Sequence, residues 1–437
     1  MKKIIIMALA VLTLAACGKK ETVIESGAHT SWAYNTTIYE LNTRQATEEG
    51  TFAAAEQLLP ALKENGIDII WVMPCQPIGV ITRKGTLGSY YSIIDYCAIN
   101  PEFGTMDDFK HFLNKAHSLG FKVILDWVAN HTAPDSEWTK NDGWHYRDAD
   151  GNLMVQYDWT DISKLNYDNA DMREAMKAAM RFWMDSIGID GFRCDVAGEV
   201  PTDFWNDAMG ELRAAHPDMF TLAENEDKAY ELTESAFDMY YGWTLHHLMN
   251  DVAQGKGTVE DLWAYFAKTD TTMRPEAICM NFTSNHDENS WNGTEYERMG
   301  EAAPLFTVFT YIVPGMPLIY TGQLSGNNHR LEFFEKDLID SDMAKNGETA
   351  ALYKELNDLR AANKALWSPE YGAPMNRLAC DNAAIFACER TLADGSNRVV
   401  AILNMSNQEQ VANVDCGGKR GNQELTLAPW AWIIYTE

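Results

Sequence analysis

Positive charge is what this sequence has least of. Across 437 residues, Lys and Arg number 35 against 63 Asp and Glu, a formal charge of −28. Such a field repels a phosphate backbone or an anionic lipid surface, which excludes nucleic-acid binding as a main role. At 46% hydrophobic and 22% charged residues, the composition also excludes a disordered, collagen-like or multi-span membrane chain. The eight cysteines form no CxxC pair, and their wide spacing argues against a metal or redox centre. No internal repeat or low-complexity segment interrupts the chain. Aromatic residues are plentiful at 11%, with 14 Trp, most of them expected in the core and the rest suited to stacking on a neutral ligand.

Residues Met1 to Ala16 read MKKIIIMALAVLTLAA: two lysines, an apolar run too short to span a bilayer, then small residues. That is the pattern of a secretory signal. Leu14-Ala15-Ala16-Cys17 resembles the bacterial lipoprotein box, which implies cleavage over 1–16, lipidation of Cys17 and a polar tether over 17–33. The expectation is a protein of the bacterial cell envelope, lipid-anchored to the membrane on the periplasmic or cell-surface side of the outer membrane. With Cys17 modified, an odd number of cysteines remains, so they cannot all pair; most are read as small buried apolar side chains.

From Thr36 onward, short β-branched or aromatic runs alternate with amphipathic stretches, the pattern of repeated βα units. Eight strands are expected: Thr37–Leu41, Ile67–Pro74, Lys122–Val128, Ile189–Asp195, Met219–Glu224, Phe237–Trp243, Ala277–Thr283 and Met316–Tyr320. Segments such as Thr105–Leu119 and Asp171–Ile187 carry the helical period between them. Eight βα units predict an α/β fold, a (β/α)8 TIM barrel over 34–130 and 166–364. The polar stretch 131–165, rich in Asp, Trp and Gly, reads as a small inserted subdomain after strand three. Short runs over 365–437 (Ala383–Glu389, Arg398–Asn404, Val411–Val414, Trp430–Tyr435) read as a C-terminal antiparallel β-sandwich domain.

Barrels of this type carry their chemistry at the C-terminal ends of the strands. Strand four ends Gly191-Phe192-Arg193-Cys194-Asp195, and alternation sends Arg193 and Asp195 together into the barrel mouth. Strand five ends in Glu224, and Ser284-Asn285-His286-Asp287 follows strand seven. Three carboxylates from three strands suit glycoside cleavage, in which one attacks the anomeric carbon while a protonated one assists the leaving oxygen. Barrel-mouth acids can also cap loops or form ion pairs, but three converging with an arginine and a histidine favour chemistry.

These residues fall into an ordered set of motifs: DWVANH at Asp126–His131, GFRCDVA at Gly191–Ala197, LAENE at Leu222–Glu226 and NHD at Asn285–Asp287. With SYYSIIDYCAINPEFGT at Ser89–Thr105 and PGMPLIYTGQ at Pro314–Gln323, the chain from about Tyr34 resembles the alpha-amylase family of retaining glycoside hydrolases. The resemblance implies that Asp195 is the nucleophile, Glu224 the general acid and base, and Asp287 the third carboxylate. It implies further that Arg193 orients Asp195, His131 and His286 bind sugar hydroxyls, Tyr91 stacks beneath the ring and Asp126 organises the first motif. Glu224 must then hold a proton when the bond breaks.

The pattern departs from many amylases in having Gly198-Glu199 beyond the nucleophile, and Lys164 where calcium-dependent members carry Asp. Both resemble the neopullulanase and cyclomaltodextrinase branch, whose members usually have an extra N-terminal β domain, whereas here the barrel is expected to begin soon after the tether. An ammonium cannot ligate calcium. Asn130 matches one family calcium ligand, so a structural calcium stays open while no cofactor is required. Arg330, in GNNHR, reads either as a reach to the non-reducing end of a bound sugar or as a surface ion pair. Trp138, Trp144, Tyr157 and Trp159 either line a cleft or pack the insert.

The expectation is a hydrolase of α-1,4 bonds in malto-oligosaccharides and α-glucans, working beside glycan uptake proteins. An α-glucosidase or transglycosylase uses the same intermediate. A non-catalytic glycan-binding lipoprotein of the same fold would usually lack one of the three carboxylates, and a metal-dependent hydrolase would need histidines at strand one, which has none.

Overall fold

A computed structural model describes residues 29–339 and 347–437. The signal segment, Cys17 and most of the expected tether lie outside the described residues. Eight parallel strands close into a barrel: β1 (Ile38–Leu41), β2 (Ile69–Val72), β3 (Lys122–Trp127), β4 (Gly191–Cys194), β5 (Phe220–Ala223), β6 (Met239–Tyr241), β7 (Ile278–Asn281) and β8 (Met316–Tyr320). β1 pairs with both β2 and β8, which removes every strand edge. The protein is a (β/α)8 barrel followed by antiparallel sheets.

Alternation explains how one sequence fills both sides of this wall. Ile38, Ile69, Trp71, Ile124, Phe220, Leu222, Met239, Tyr241, Ile278, Met280 and Met316 form one cluster inside the barrel. Their neighbours Tyr39, Leu41, Ile70, Val72, Val123, Leu125, Phe192 and Cys194 join the larger cluster beneath the helices. Gly191 sits at φ +151°, where a Cβ would lie 1.8 Å from the Phe220 carbonyl oxygen, so only glycine lets β4 pass β5 at this level. Two residue pairs further up, Arg193 and Asp126 are in register and both completely or almost completely buried.

The helices follow their local signals. Thr105 and Asp108 make a capping box for the helix Met106–Ser118, and Thr258 and Asp261 do the same for Val259–Thr272. The expected helix Asp171–Ile187 is a helix over Ala170–Arg181 that widens into a π turn over Phe182–Ile187 and stops at left-handed Gly188. Strand six is shorter than expected. Gly242 ends it against the Met280 carbonyl, 3.1 Å away, and Trp243 opens the helix Trp243–Ala253 instead.

Between β3 and β4, His131–Thr132 pairs antiparallel with Ser163–Lys164, closing a loop-rich insert. Trp138 and Trp144 pack edge-on within it, ring centroids 5.1 Å apart, and Trp138 also meets Tyr96 of the barrel. These two tryptophans pack the insert.

At the C-terminus, β9 (Met375–Arg377), β10 (Ile385–Thr391), β11 (Arg398–Asn404) and β14 (Trp432–Thr436) form one sheet, and β12 (Gln410–Asp415) and β13 (Asn422–Leu427) a second. Ile385, Ala387, Val400 and Ile402 of the first pack with Ala412, Val414 and Leu427 of the second. Trp263 on the barrel stacks flat on Phe386, at 4.3 Å and 3°. No helix among the described residues is long and apolar enough to cross a membrane.

Candidate active site

Arg193 is the centre of the barrel mouth and is wholly buried. One guanidinium nitrogen contacts Asp126 at 2.7 Å and Asp195 at 3.0 Å; the other lies 2.7 Å from Glu224. Its Nε donates to the Tyr241 hydroxyl at 3.1 Å, and its face covers Trp71 at 5.0 Å. One nitrogen donates to Asp126 and Asp195 while the other faces Glu224 as an ion pair, so a single planar cation sets Asp195 and Glu224 side by side. Asp126 is completed by Trp71 Nε1 at 3.1 Å and the Tyr91 hydroxyl at 3.0 Å.

The carboxylates outnumber the cations that face them. Burial and the charge of Glu224 push Asp195 well above the usual carboxylate range, and Arg193 opposes them. Val196 donates its backbone N–H to Glu224 Oε2 at 2.8 Å, and it does so from φ +36°, a strained position for a β-branched residue. That turn of the backbone aims the amide at the carboxylate.

Two histidines of opposite character flank the pair. Burial lowers His131 to about 4, leaving it neutral. Burial would also lower His286, but the charges of Asp287 and Glu40 outweigh it and lift the imidazole to about 9. His286 Nδ1 lies 2.5 Å from Glu40, and its Nε2 lies 2.7 Å from the Tyr91 hydroxyl and 3.3 Å from Asp287. Tyr91 stacks on His286 at 5.3 Å.

Above this floor opens a cavity of about 480 Å³, lined among others by Tyr91, His131, Asp195, Glu224, His286 and Asp287. A second groove, of about 330 Å³, shares Val196 and Glu224 with it and continues past Glu199, Asn225, Trp243 and His247. A larger hollow of about 590 Å³ lies between the helix Val259–Thr272 and the C-terminal sheet, and none of the three carboxylates lines it. The chemistry belongs to the cavity of about 480 Å³, which all three carboxylates line.

The family profile described as "Alpha amylase, catalytic domain" matches residues 34–143 and 137–372. The chain belongs to the alpha-amylase family. It is 28% identical to alpha-amylase MalA of Haloarcula japonica over 315 residues, 69% of this chain but 45% of that protein, so it spans less than half the length of that relative. Neopullulanase 2 of Thermoactinomyces vulgaris is 27% identical over 86% of this chain and 69% of its own. The crystal structure of an alpha-amylase from Lactobacillus plantarum superposes with a TM-score of 0.82 at 30% identity, covering 92% of this chain and 99% of that one.

Within this alpha-amylase site, Asp195, Glu224, Asp287, His131, His286 and Tyr91 all reach the cavity. Arg193 and Asp126 do not; they are buried beneath it and act by holding the residues that do. Arg330 does not line this cavity, and its Nε lies 2.8 Å from half-exposed Glu297 at the surface. Asn130 sits beside the insert's closing pair. Its amide nitrogen is engaged by Gln156 at 2.8 Å and His131 at 3.1 Å, and Lys164 stands opposite His131. Among the described residues, no cluster of three metal-ligating side chains forms.

Sequence reasoning missed Glu40, Trp71 and Tyr241, the shell around Arg193 and His286. Glu40 had a signal: a carboxylate in an otherwise apolar strand, on the same inward face as Ile38. Trp71 and Tyr241 had none, since inward aromatics in a barrel look like core.

Proposed function

We propose that this protein hydrolyses α-1,4 bonds of malto-oligosaccharides and related α-glucans with retention of configuration. The observation that carries the reading is the Arg193 fork, whose two nitrogens touch Asp195 and Glu224 at 3.0 and 2.7 Å on the floor of a sugar-sized cavity. A double displacement needs its two carboxyls about 5–5.5 Å apart, and contact with one guanidinium keeps this pair near each other.

Asp195 attacks the anomeric carbon as the glycosidic bond breaks, and the departing oxygen takes the proton from Glu224. Arg193, 3.0 Å from Asp195, favours the ionised carboxylate that attacks. Water then gives its proton to Glu224 and its oxygen to the anomeric carbon, which frees Asp195. Asp287 and His286 grip hydroxyls of the reacting ring. No step needs a metal or cofactor.

The relatives named alpha-amylase and neopullulanase support an α-glucan as the substrate class. The groove past Glu224 offers Trp243 as a platform for an acceptor sugar, which keeps transglycosylation as a second outcome of the same intermediate. A time course on maltoheptaose, with pullulan in parallel and Asp195→Ala as control, tests the reading. New short sugars that disappear in the control support hydrolysis, longer ones support transfer, and no change in any sugar supports a glycan-binding protein.

The lipoprotein-like Leu14–Cys17 supports lipid attachment at Cys17 and a place in the bacterial envelope beside glycan uptake proteins. Labelled palmitate incorporated by the natural protein and lost in Cys17→Ser tests that attachment.

A further inference from the structure

The loop after β2 carries residues for which the hydrolytic mechanism has no use. Gly79 to Ser89 crosses the mouth of the cavity and is fastened at both ends. Toward the insert, Val80 N–H donates to Asp135 at 2.8 Å and the Thr82 hydroxyl to the Thr160 carbonyl at 2.8 Å. Toward the segment after β8, Leu87 N–H donates to the Phe334 carbonyl at 3.0 Å and Thr86 N–H to Glu335 at 2.8 Å.

Both contacts are too close for any side chain at the glycine positions. A Cβ at Gly79 would lie 2.5 Å from Ala133 Cβ, and one at Gly85, already at φ +61°, would lie 2.5 Å from Phe334 Cβ. The loop is wedged between the two walls of the cleft.

Lys84 spans what remains. Its ammonium lies 3.3 Å from Asp161 and 3.4 Å from the Asp158 carbonyl, both in the insert, and 6.0 Å above the Phe334 ring on the opposite wall. Lys84, Asp158, Asp161 and Phe334 all line the cavity that holds the reactive carboxylates. The proton donor fixes which end this is. Glu224 faces the leaving group, and the groove that continues past it toward Trp243 takes the reducing-end side of the sugar chain. The cavity of Tyr91, His131, His286 and Asp287 therefore holds the non-reducing side, and the loop stands at its far rim.

We infer that this loop, with Lys84 bridging the walls, closes the non-reducing end of the site, so that the enzyme takes α-glucan chain ends and releases a short product of fixed length. The inference rests on the α-glucan reading above and goes beyond it by assigning exo action and a residue that enforces it. A glucan threaded through the cleft would have to occupy the space of the Lys84 bridge.

The test uses maltoheptaose labelled at its reducing end, with the non-reducing O4 and O6 either free or blocked by a benzylidene group, followed by chromatography. The natural protein cleaves the free substrate at least about tenfold more efficiently than the blocked one and yields a single short product from the start. Lys84→Ala lowers that discrimination by about fivefold or more and broadens the product lengths. Asp161→Asn, which keeps the side-chain shape, moves both readouts the same way, and thermal melts of both variants confirm the fold. Equal cleavage of free and blocked substrates by the natural protein overturns the inference, as does discrimination left unchanged in both variants. Cleavage of neither substrate overturns the α-glucan reading itself.

Discussion

Replacing Arg193 with methionine isolates what holds the active site together. The guanidinium is wholly buried and meets three carboxylates, Asp126, Asp195 and Glu224, at 2.7 to 3.0 Å. Removing one partner of a buried ion network costs about 3–5 kcal/mol, because the charges left behind have no compensation. For a chain of this size that is a fall in Tm of about 3–5 °C at neutral pH. The pH dependence separates this from lost packing. Burial already raises Asp126 and Asp195, and losing Arg193 raises them further. A carboxylate raised by folding leaves stability intact below its unfolded value and erodes it as pH climbs through the folded value. The Tm gap between natural protein and Arg193→Met is therefore small near pH 4 and widens as pH rises above it. Scanning calorimetry at intervals across that range measures it. A gap of constant size from pH 4 to 8 would refute the electrostatic reasoning and leave only the missing side-chain volume.

Glu224→Gln loses roughly 10²–10⁴-fold in kcat on maltoheptaose and far less on a maltosyl fluoride, whose leaving group needs no proton; equal losses on both would remove the acid role. Glu40→Gln lowers His286 from about 9 by roughly one unit, because Glu40 is one of the two charges that outweigh burial there. An NMR titration of the imidazole reads the shift, and an unmoved midpoint would leave Asp287 as its sole support. Asp238→Asn destabilises by about 2 kcal/mol at pH 7, since Arg213 and His29 outweigh burial to hold Asp238 at about 2. That stabilisation is complete above the unfolded value and fades as pH falls through 2, so denaturant midpoints of the two proteins converge in acid and stay apart at neutral pH.

How far the sequence speaks for itself varies with the kind of constraint. All eight barrel strands were legible because apolar alternation and βα spacing are local, and Asp195, Glu224 and Asp287 were legible because each ends or follows a strand whose direction is already known. The strand β13, Asn422–Leu427, was not, because NQELTL buries little beyond Leu427 and takes its strand form from pairing with β12. Met375–Arg377 is exposed or half-exposed and is held by β10 in the same way. The surface pairing of Arg330 depended on where the helix after Thr294 would present Glu297, a tertiary fact.

Glu40 and Lys84 show why the chemistry of a site outruns its motifs. Glu40 matters only once the barrel closes and carries a β1 side chain across its interior to His286, 246 positions away in sequence. A carboxylate buried there raises the proton affinity of the imidazole that faces the sugar, so strand one tunes a residue presented by strand seven. Lys84 matters only once the insert and the segment after β8 face each other across the cleft and the loop is wedged between them. The catalytic carboxylates can be common to many glycosidases because the reaction is common. Where along a chain that reaction happens is decided by walls, and walls are built from residues far apart in sequence, whose meaning no local motif carries.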